Sequence, residues 1–360
     1  MPTILEVADV PALARGYELL GSGGGGTTSI YELNARTSTQ WPRPVFAVDE
    51  LDPATPVVAI GMAGSAFLLT ERIPGEAPFA DLISAAHRWT GTPPGAVCSI
   101  EAAGVNGLAG LSLAPELSFV DADLMGRALP RMDQFSVFVD RLPGLVIACG
   151  SGAGGVVVME TSRPEDVEQV MRTAVVAAGG VSGVLAAGFC VADLAEHAVV
   201  GTNMRALELG RAFLRHRDAS WATLAEQLGG VLLGSGQVRQ IEQDASDPLS
   251  STIEIDGDDG CVCRIVARSE SLAFMKDGVV VAASPEVIVM VEQVSRRILQ
   301  VDELSRLADV AVISLAGPAW WSQRPHRIAR VRPSAYGLDG LDPVAVPPAS
   351  PSRIAEDPDD

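Results

Sequence analysis

Residues 57–62 read Val-Val-Ala-Ile-Gly-Met, an apolar run rich in β-branched residues that has the length of one buried strand. A similar run at 45–48 precedes it. After it come a helix-like segment at 78–89, an apolar run at 96–100, a helix-like segment at 106–117 and a short strand ending at 119–120. Three more strands are predicted at 135–139, 145–149 and 156–159. Strands that alternate with helices predict an α/β domain, in which helices cover a layered mixed or parallel sheet.

The second half of the chain has a different pattern. Helix-like segments at 166–177, 204–216 and 221–228 are followed, beyond Gly229, by short apolar strands at close spacing. Turn residues separate these strands, and Asp277-Gly278 is typical of a β-hairpin. We therefore predict an α/β domain at 1–165, a β-rich, barrel-like domain with helical insertions at 166–340, and a disordered tail rich in Pro, Ser and Asp at 341–360.

Composition excludes several classes of partner. The 360 residues are 48% hydrophobic and 20% charged, so the chain can fill two cores. The net charge of −19 would repel phosphate backbones and anionic lipids, so neither a nucleic acid nor a membrane is expected as a partner. The N-terminus lacks a signal-peptide pattern, and the five cysteines, mostly single in apolar runs, predict buried thiols in a reducing compartment. We therefore expect a cytoplasmic protein.

A glycine loop lies between the first two predicted helices: Gly21-Ser22-Gly23-Gly24-Gly25-Gly26-Thr27-Thr28. Consecutive glycines let backbone N–H groups converge, and the helix start beyond them favours an anion or a polarised carbonyl or thiocarbonyl. A helix precedes the loop and no Gly-Lys-Ser/Thr follows, so the nucleotide-binding motifs are excluded. The candidate ligand-binding residues are Gly23, Gly24, Gly25, Gly26 and Thr27. The alternative is a flexible connection between two helices.

An acidic turn, Asp121-Ala122-Asp123-Leu124-Met125-Gly126-Arg127, follows a predicted strand end. Two carboxylates at i and i+2 point the same way on an extended segment, and their repulsion raises one pKa toward the range of a general base or acid. Arg127 could orient a carboxylate or stabilise a developing anion. Asp121, Asp123 and Arg127 are therefore the predicted catalytic residues. A helix cap with a local ion pair is the equally weighted alternative.

Other polar residues near predicted strand ends could share a cleft with this turn. Glu71 and Glu101 each follow an apolar run by a short distance, and Asn106 comes five residues after Glu101. We predict that these three residues bind substrate, although Asn106 taken alone is more typical of a helix cap. The four histidines are scattered and none has a partner at i+4, so ligand spacing does not support a metal, and the cofactor stays undetermined.

The chain resembles the S-methyl thiohydantoin desulfurase-like family, whose members often accompany hydantoinase and oxoprolinase-type proteins. The resemblance covers nearly the whole chain to about residue 340 and is carried by the segments 20–26, 61–73, 101–106, 120–130, 201–211, 284–288 and 333–337. The run Val120-Asp121-Ala122-Asp123-Leu124-Met125-Gly126-Arg127 is the most specific of them. The resemblance implies an α/β domain followed by a barrel-like β domain.

The resemblance also implies a hydrolase that acts on a thiohydantoin or hydantoin-like ring, a small heterocyclic substrate. Asp121 or Asp123 would activate water, and Arg127 or the loop N–H groups would stabilise the anionic intermediate. The alternative is a non-catalytic, ligand-binding subunit of a hydantoinase-like complex, and the partner could also be a second copy of the chain. A phosphate- or nucleotide-binding enzyme is the weakest hypothesis. A shared site requires the glycine loop and the acidic turn to lie close together.

Overall fold

In the computed structural model of the protein, two β-sheets form one after the other along the chain. The structure describes residues 1–38, 41–65, 68–69, 77–112, 114 and 116–343. Glu71 and the predicted tail from residue 344 onward lie outside the described residues. Within the described ranges, no helix is both long enough and apolar enough to cross a membrane.

The first sheet contains nine described strands, which are β1 (Thr3–Leu5), β2 (Arg43–Phe46), β3 (Pro56–Gly64), β4 (Ala96–Ser99), β5 (Ser118–Asp123), β6 (Val146–Gly150), β7 (Val156–Glu160), β8 (Val181–Cys190) and β9 (Val199–Val200). The second sheet contains eight, which are β10 (Val231–Gln243), β11 (Ser250–Gly257), β12 (Val262–Arg268), β13 (Glu270–Lys276), β14 (Val279–Ala283), β15 (Val287–Glu292), β16 (Ile298–Leu299) and β17 (Asp309–Leu315).

The described α-helices are α1 (Val10–Leu20), α2 (Ser29–Thr37), α3 (Ala80–Thr90), α4 (Gly104–Ser112), α5 (Ser136–Val139), α6 (Pro164–Ala177), α7 (Val191–His197), α8 (Thr202–His216), α9 (Trp221–Gln227), α10 (Ala319–Ser322) and α11 (Pro325–Ile328). Short 3-10 helices lie at Val7–Asp9, Val48–Glu50, Met132–Gln134, Val301–Glu303 and Pro333–Tyr336.

The first sheet is mixed and is covered on both faces. Its order is β1-β2-β5-β4-β3-β8-β6-β7, with a parallel block β2-β5-β4-β3 and antiparallel strands on either side, while β9 pairs with β5. Alternate residues of β3 pack into different cores: Val58 and Ile60 into one that includes α1 and α4, Val57 and Ala59 into one that includes α6. This arrangement confirms the predicted α/β domain with a mixed sheet.

The second sheet is antiparallel throughout, in the order β14-β13-β12-β11-β10-β17-β15-β16. One hydrophobic core takes side chains from strands across the whole order, from Ala282 on β14 to Leu299 on β16. The sheet therefore curls around a single core, in agreement with the predicted β-rich, barrel-like domain. Val287 and Val289 of β15 pack instead into the core around α1, which joins the two domains.

The division between the sheets lies later in the chain than the domain division predicted at residue 165. Strands β8 and β9 belong to the first sheet, where β8 pairs with β3 and β6. A sequence pattern identifies a strand but not the strand with which it pairs. The return of the chain to the first sheet after α6 therefore could not be predicted. Residues 135–139, predicted as a strand, contain helix α5 instead, because a short apolar run fits either structure.

Helices α1 and α8 cross at small residues. A Cβ added to Gly16 would lie 1.7 Å from the backbone oxygen of Ala206, and one added to Gly210 would lie 1.7 Å from that of Ala12. We expect Gly16→Ala to lower the thermal unfolding midpoint by roughly 5 °C or more, because the helices must move apart. At an ordinary helix position the same change would stabilise the folded protein by about 1 kcal/mol. A decrease in the unfolding midpoint would therefore itself indicate the close helix contact.

The matched control is Glu208→Ala on the exposed face of α8, which should leave the midpoint within about 2 °C. Circular dichroism on heating measures both variants. A Gly16→Ala protein as stable as the wild type would contradict the close helix crossing.

Candidate functional site

A cavity of about 740 Å³ lies where the two domains meet. The first domain contributes the glycine loop, the end of β3, the start of α4 and part of α6; the second contributes residues of β10, β11 and β13 and the segment after β16. The polar side chains on its wall include Glu101, Asn106, Arg131, Arg172, Glu270 and Gln300. A cavity of this volume is in the range that accommodates a small organic ligand.

The glycine loop forms part of the cavity wall and is held by both domains. Its carbonyl groups accept hydrogen bonds: Ser22 from the Ser271 N–H at 2.8 Å, Gly23 from the Val301 N–H at 2.7 Å and Gly25 from the Val105 N–H at 2.9 Å. Gly23 and Gly25 have φ of 81° and 77°, which glycine adopts readily. These contacts argue against the alternative of a flexible connection.

Only part of the predicted loop site reaches the cavity. Gly23, Gly24 and Gly25 line it, whereas within the described part of the chain Gly26 and Thr27 lie outside its wall. The Thr27 hydroxyl instead lies 3.3 Å from that of Ser29. At Gly24 there is no room for a side chain, because a Cβ would lie 2.5 Å from Oε1 of Glu270.

Two buried glutamates, Glu101 and Glu270, line the cavity and define the candidate active site. They are 7% and 6% exposed. Glu101 accepts hydrogen bonds from the Leu129 N–H and from Nδ2 of Asn106, both at 3.3 Å. Glu270 accepts one from the Ser269 hydroxyl at 2.9 Å. Each domain thus supplies one carboxyl group to the same cavity.

Burial changes the ionisation of both glutamates. It raises the pKa of Glu101 well above its usual range, and the charge of Glu270 raises it further. Burial also raises the pKa of Glu270 to about 7, against the opposing effects of the Ser269 hydrogen bond and the nearby Arg127 charge. Near pH 7 Glu270 is therefore about half ionised, and its charge favours the protonated form of Glu101.

Asn106, predicted to bind substrate, lines the cavity but its amide is already engaged. Its Oδ1 accepts from the Met62 N–H at 2.6 Å, and its Nδ2 donates to the Met62 carbonyl at 3.1 Å as well as to Glu101. Asn106 lies inside α4 rather than at its cap. It therefore fixes Glu101 relative to the end of β3.

Asp121, Asp123 and Arg127 of the acidic turn do not line the cavity, although Met125 of the same turn does. Asp121 and Asp123 are on strand β5, and their side chains face the N-terminus of α8. Oδ1 of Asp121 accepts from the Asn203 N–H, and Oδ1 of Asp123 accepts from the Thr202 hydroxyl, each at 2.8 Å. These contacts cap a helix, which was the alternative interpretation, although the helix is distant in sequence.

Asp123 also holds the backbone of two other segments. Its Oδ2 accepts from the N–H groups of Ala102 at 2.8 Å and Gly126 at 2.7 Å. Burial raises the pKa of Asp123 to about 6, and these hydrogen bonds oppose the increase. The carboxyl group therefore stabilises the segment that carries Glu101, and its catalytic role stays a prediction.

Arg127 is fully buried and interacts electrostatically with both glutamates. Its guanidinium donates to three backbone carbonyls: Ala128 at 2.9 Å, Ser271 at 3.2 Å and Glu286. Ser271 and Glu286 belong to the second domain, so this side chain joins the two domains. Its charge acts on Glu270 and Glu101, and its contact with substrate stays a prediction.

Sequence reasoning missed Glu270. The run Arg268-Ser269-Glu270-Ser271 looks like a polar hairpin turn, and Ser269 indeed has a φ of 55°. The one available signal was an acidic residue that opens an otherwise apolar strand, Leu272 to Met275. Arg131 and Arg172 on the cavity wall were also missed; they are paired with Asp133 and Glu168.

The structure offers no candidate metal centre among its described residues, since no three His, Cys, Asp or Glu side chains are suitably clustered. His197 and His326 both contact Asp140, at 2.7 and 3.0 Å, beside Arg327. Although burial acts to raise it, hydrogen bonds from Arg327, His326 and His197 lower the pKa of Asp140 to about 2. The five cysteines are free thiols, three of them buried.

Comparison with known families accounts for nearly the whole chain. A family model described as the N-terminal domain of S-Me-THD-like proteins matches residues 8–161, and one described as their C-terminal domain matches residues 162–346. The chain therefore belongs to this S-methyl thiohydantoin desulfurase-like family, as its sequence motifs predicted. No curated protein matches it.

A crystal structure of a protein from Chromobacterium violaceum has the same fold. It aligns with a TM-score of 0.77 at 23% sequence identity, over 95% of this chain and 99% of that chain. Identity at this level shows a shared architecture, and the function has to be argued from the cavity.

Proposed function

We propose that the protein hydrolyses the carbon–sulfur bond of an S-methyl thiohydantoin-like ring. The observation that carries the proposal is the pair of buried carboxyl groups, Glu101 and Glu270, on the wall of one cavity. A buried carboxyl pair in which one group ionises before the other can supply a base and an acid at the same pH. The family name supports the substrate class.

The pKa values assign the two roles. Ionised Glu270 accepts a proton from water as the water oxygen bonds to the ring carbon that carries sulfur. Protonated Glu101 donates its proton to the departing sulfur as the carbon–sulfur bond breaks. The second proton of the water moves to the ring nitrogen as the new carbonyl forms, so the products are methanethiol and a hydantoin whose new carbonyl oxygen comes from water. Exchange of protons with solvent then returns Glu270 to its ionised form and Glu101 to its protonated form.

The glycine loop supports the same reaction. Among the described residues, no acceptor is hydrogen bonded to the N–H groups of Gly23 and Gly25. These donors lie on the cavity wall, where they could stabilise the negative charge that develops on the ring during water attack. The loop would then have the anion-stabilising role predicted for it, beside the glutamate pair instead of the acidic turn.

The direct test is turnover by the purified protein alone. S-methyl thiohydantoin in H₂¹⁸O should yield methanethiol and hydantoin in equal amounts, with ¹⁸O in the hydantoin carbonyl. A thiol reagent measures the first product and mass spectrometry the second. Absence of turnover by the protein alone, with turnover only beside a hydantoinase-like protein, would favour the accessory-subunit alternative.

The pH dependence should be bell-shaped. Glu270 must be ionised to act as the base, so kcat/KM should rise with pH up to about 7, the pKa of this group. Glu101 must be protonated to act as the acid, so activity should fall again at a higher pH, where this group ionises. A profile that is flat between pH 5 and pH 8 would contradict the assignment.

A further inference from the structure

The second-domain wall of the cavity carries a glutamine whose amide is unsatisfied. Gln300 lies between β16 and the following 3-10 helix, lines the cavity and is 3% exposed. Neither its amide oxygen nor its amide nitrogen is hydrogen bonded to any residue that the structure describes. On the same wall, the buried hydroxyl of Ser251 likewise has no partner among the described residues.

The backbone around Gln300 is firmly placed. Its N–H donates to Glu303 at 3.2 Å, and the next residue, Val301, donates to the carbonyl of Gly23 in the glycine loop. A buried amide without partners destabilises the folded protein, whereas an apolar side chain of the same shape would not. The residue lines the cavity but both amide atoms lie beneath its surface, so rotation of the side chain toward the cavity would let a ligand supply the missing partners.

We propose that the Gln300 amide binds the cis-amide edge of the substrate ring, an inference that rests on the proposed function. In a five-membered cyclic amide, the N–H and C=O groups point in the same direction. A primary amide offers a carbonyl acceptor and an N–H donor side by side, so the two groups form a pair of antiparallel hydrogen bonds. An open-chain trans amide points its N–H and C=O in opposite directions and cannot form this pair.

Gln300 therefore selects closed hydantoin-type rings. An open-chain amide would leave the buried polar group unpaired in the complex. This cost makes the site discriminate against such a ligand. Specificity for the ring and the hydrolytic chemistry are thus assigned to different residues, Gln300 and the glutamate pair.

The test compares hydantoin with 1,3-dimethylhydantoin, which keeps both carbonyls but has no N–H. By isothermal titration calorimetry, the wild type should bind hydantoin at least tenfold more tightly, and Gln300→Met should remove that preference. The matched control is Gln243→Met, since Gln243 lines the same cavity but already donates to the Pro248 carbonyl at 2.8 Å. The control should keep the preference.

Stability provides a second readout. Gln300→Met should leave the thermal midpoint unchanged or higher, because it removes an unsatisfied polar group; a structural glutamine would lower it. A preference retained in Gln300→Met, or absent from the wild type, would overturn the inference. Hydantoin binding needs no catalysis, so an intact preference without methanethiol release would contradict the hydrolase proposal alone.

Discussion

Glu270→Gln should lower kcat for methanethiol release by about 1,000-fold, the usual effect of removing a general base. Glutamine fills the same space beside Gly24 and can still accept the Ser269 hydrogen bond, but it cannot take a proton from water. The matched control is Glu242→Gln on β10, an exposed glutamate that should leave kcat within twofold. Steady-state kinetics on both variants provides the measurement.

The same substitution should increase stability at alkaline pH. The pKa of Glu270 is about 7 when folded, against about 4.3 for an unfolded glutamate, so the folded protein holds more protons between these values. Wild-type stability therefore falls as pH rises from about 4.5 to 7, by roughly 3 kcal/mol for this group. The glutamine variant avoids that loss.

Thermal unfolding at pH 5 and pH 8 separates the two effects. Glu270→Gln and the wild type should differ little at pH 5, and the variant should unfold at a higher temperature at pH 8. An inactive variant without this pH-dependent gain would mean that the carboxyl group is not held in a buried site. A gain in stability with unchanged kcat would remove Glu270 from the mechanism.

Local hydrophobic patterns predicted most elements of the fold. The run at 57–62 lies within β3, and the alternation that follows it gives α3, β4, α4 and β5 in order. These patterns report burial, which is a property of each segment by itself. Pairing between distant segments was not accessible, because nothing in the run 181–190 distinguishes a strand of the first sheet from one of the second.

The site was predicted in part, for the same reason. The glycine loop and Glu101 were identified because glycine runs and acids at strand ends are rare near buried segments. The catalytic interpretation of Asp121 and Asp123 used the same signal and stays a prediction. Only the tertiary contact with Asn203 and Thr202 distinguishes a helix cap from a catalytic acid. Glu270 was missed because its partner Glu101 comes from the other domain.

Asp123→Leu should lower the thermal midpoint by roughly 10 °C or more. Leucine has a similar shape but accepts no hydrogen bond, so the buried N–H groups of Ala102 and Gly126 and the Thr202 hydroxyl would all lose their acceptor. Asp123→Asn retains one acceptor oxygen and removes a buried ionisable group, so it should be much less destabilised. Heating followed by circular dichroism measures both variants.

Turnover by Asp123→Asn then decides between the two roles of the acidic turn. If the carboxyl group caps α8 and holds the segment of Glu101, the asparagine variant should keep kcat within about tenfold of the wild type. If Asp123 activates water, kcat should fall by about 1,000-fold while the thermal midpoint stays close to that of the wild type. That second result, together with an active Glu270→Gln, would move the general base from the cavity wall to strand β5.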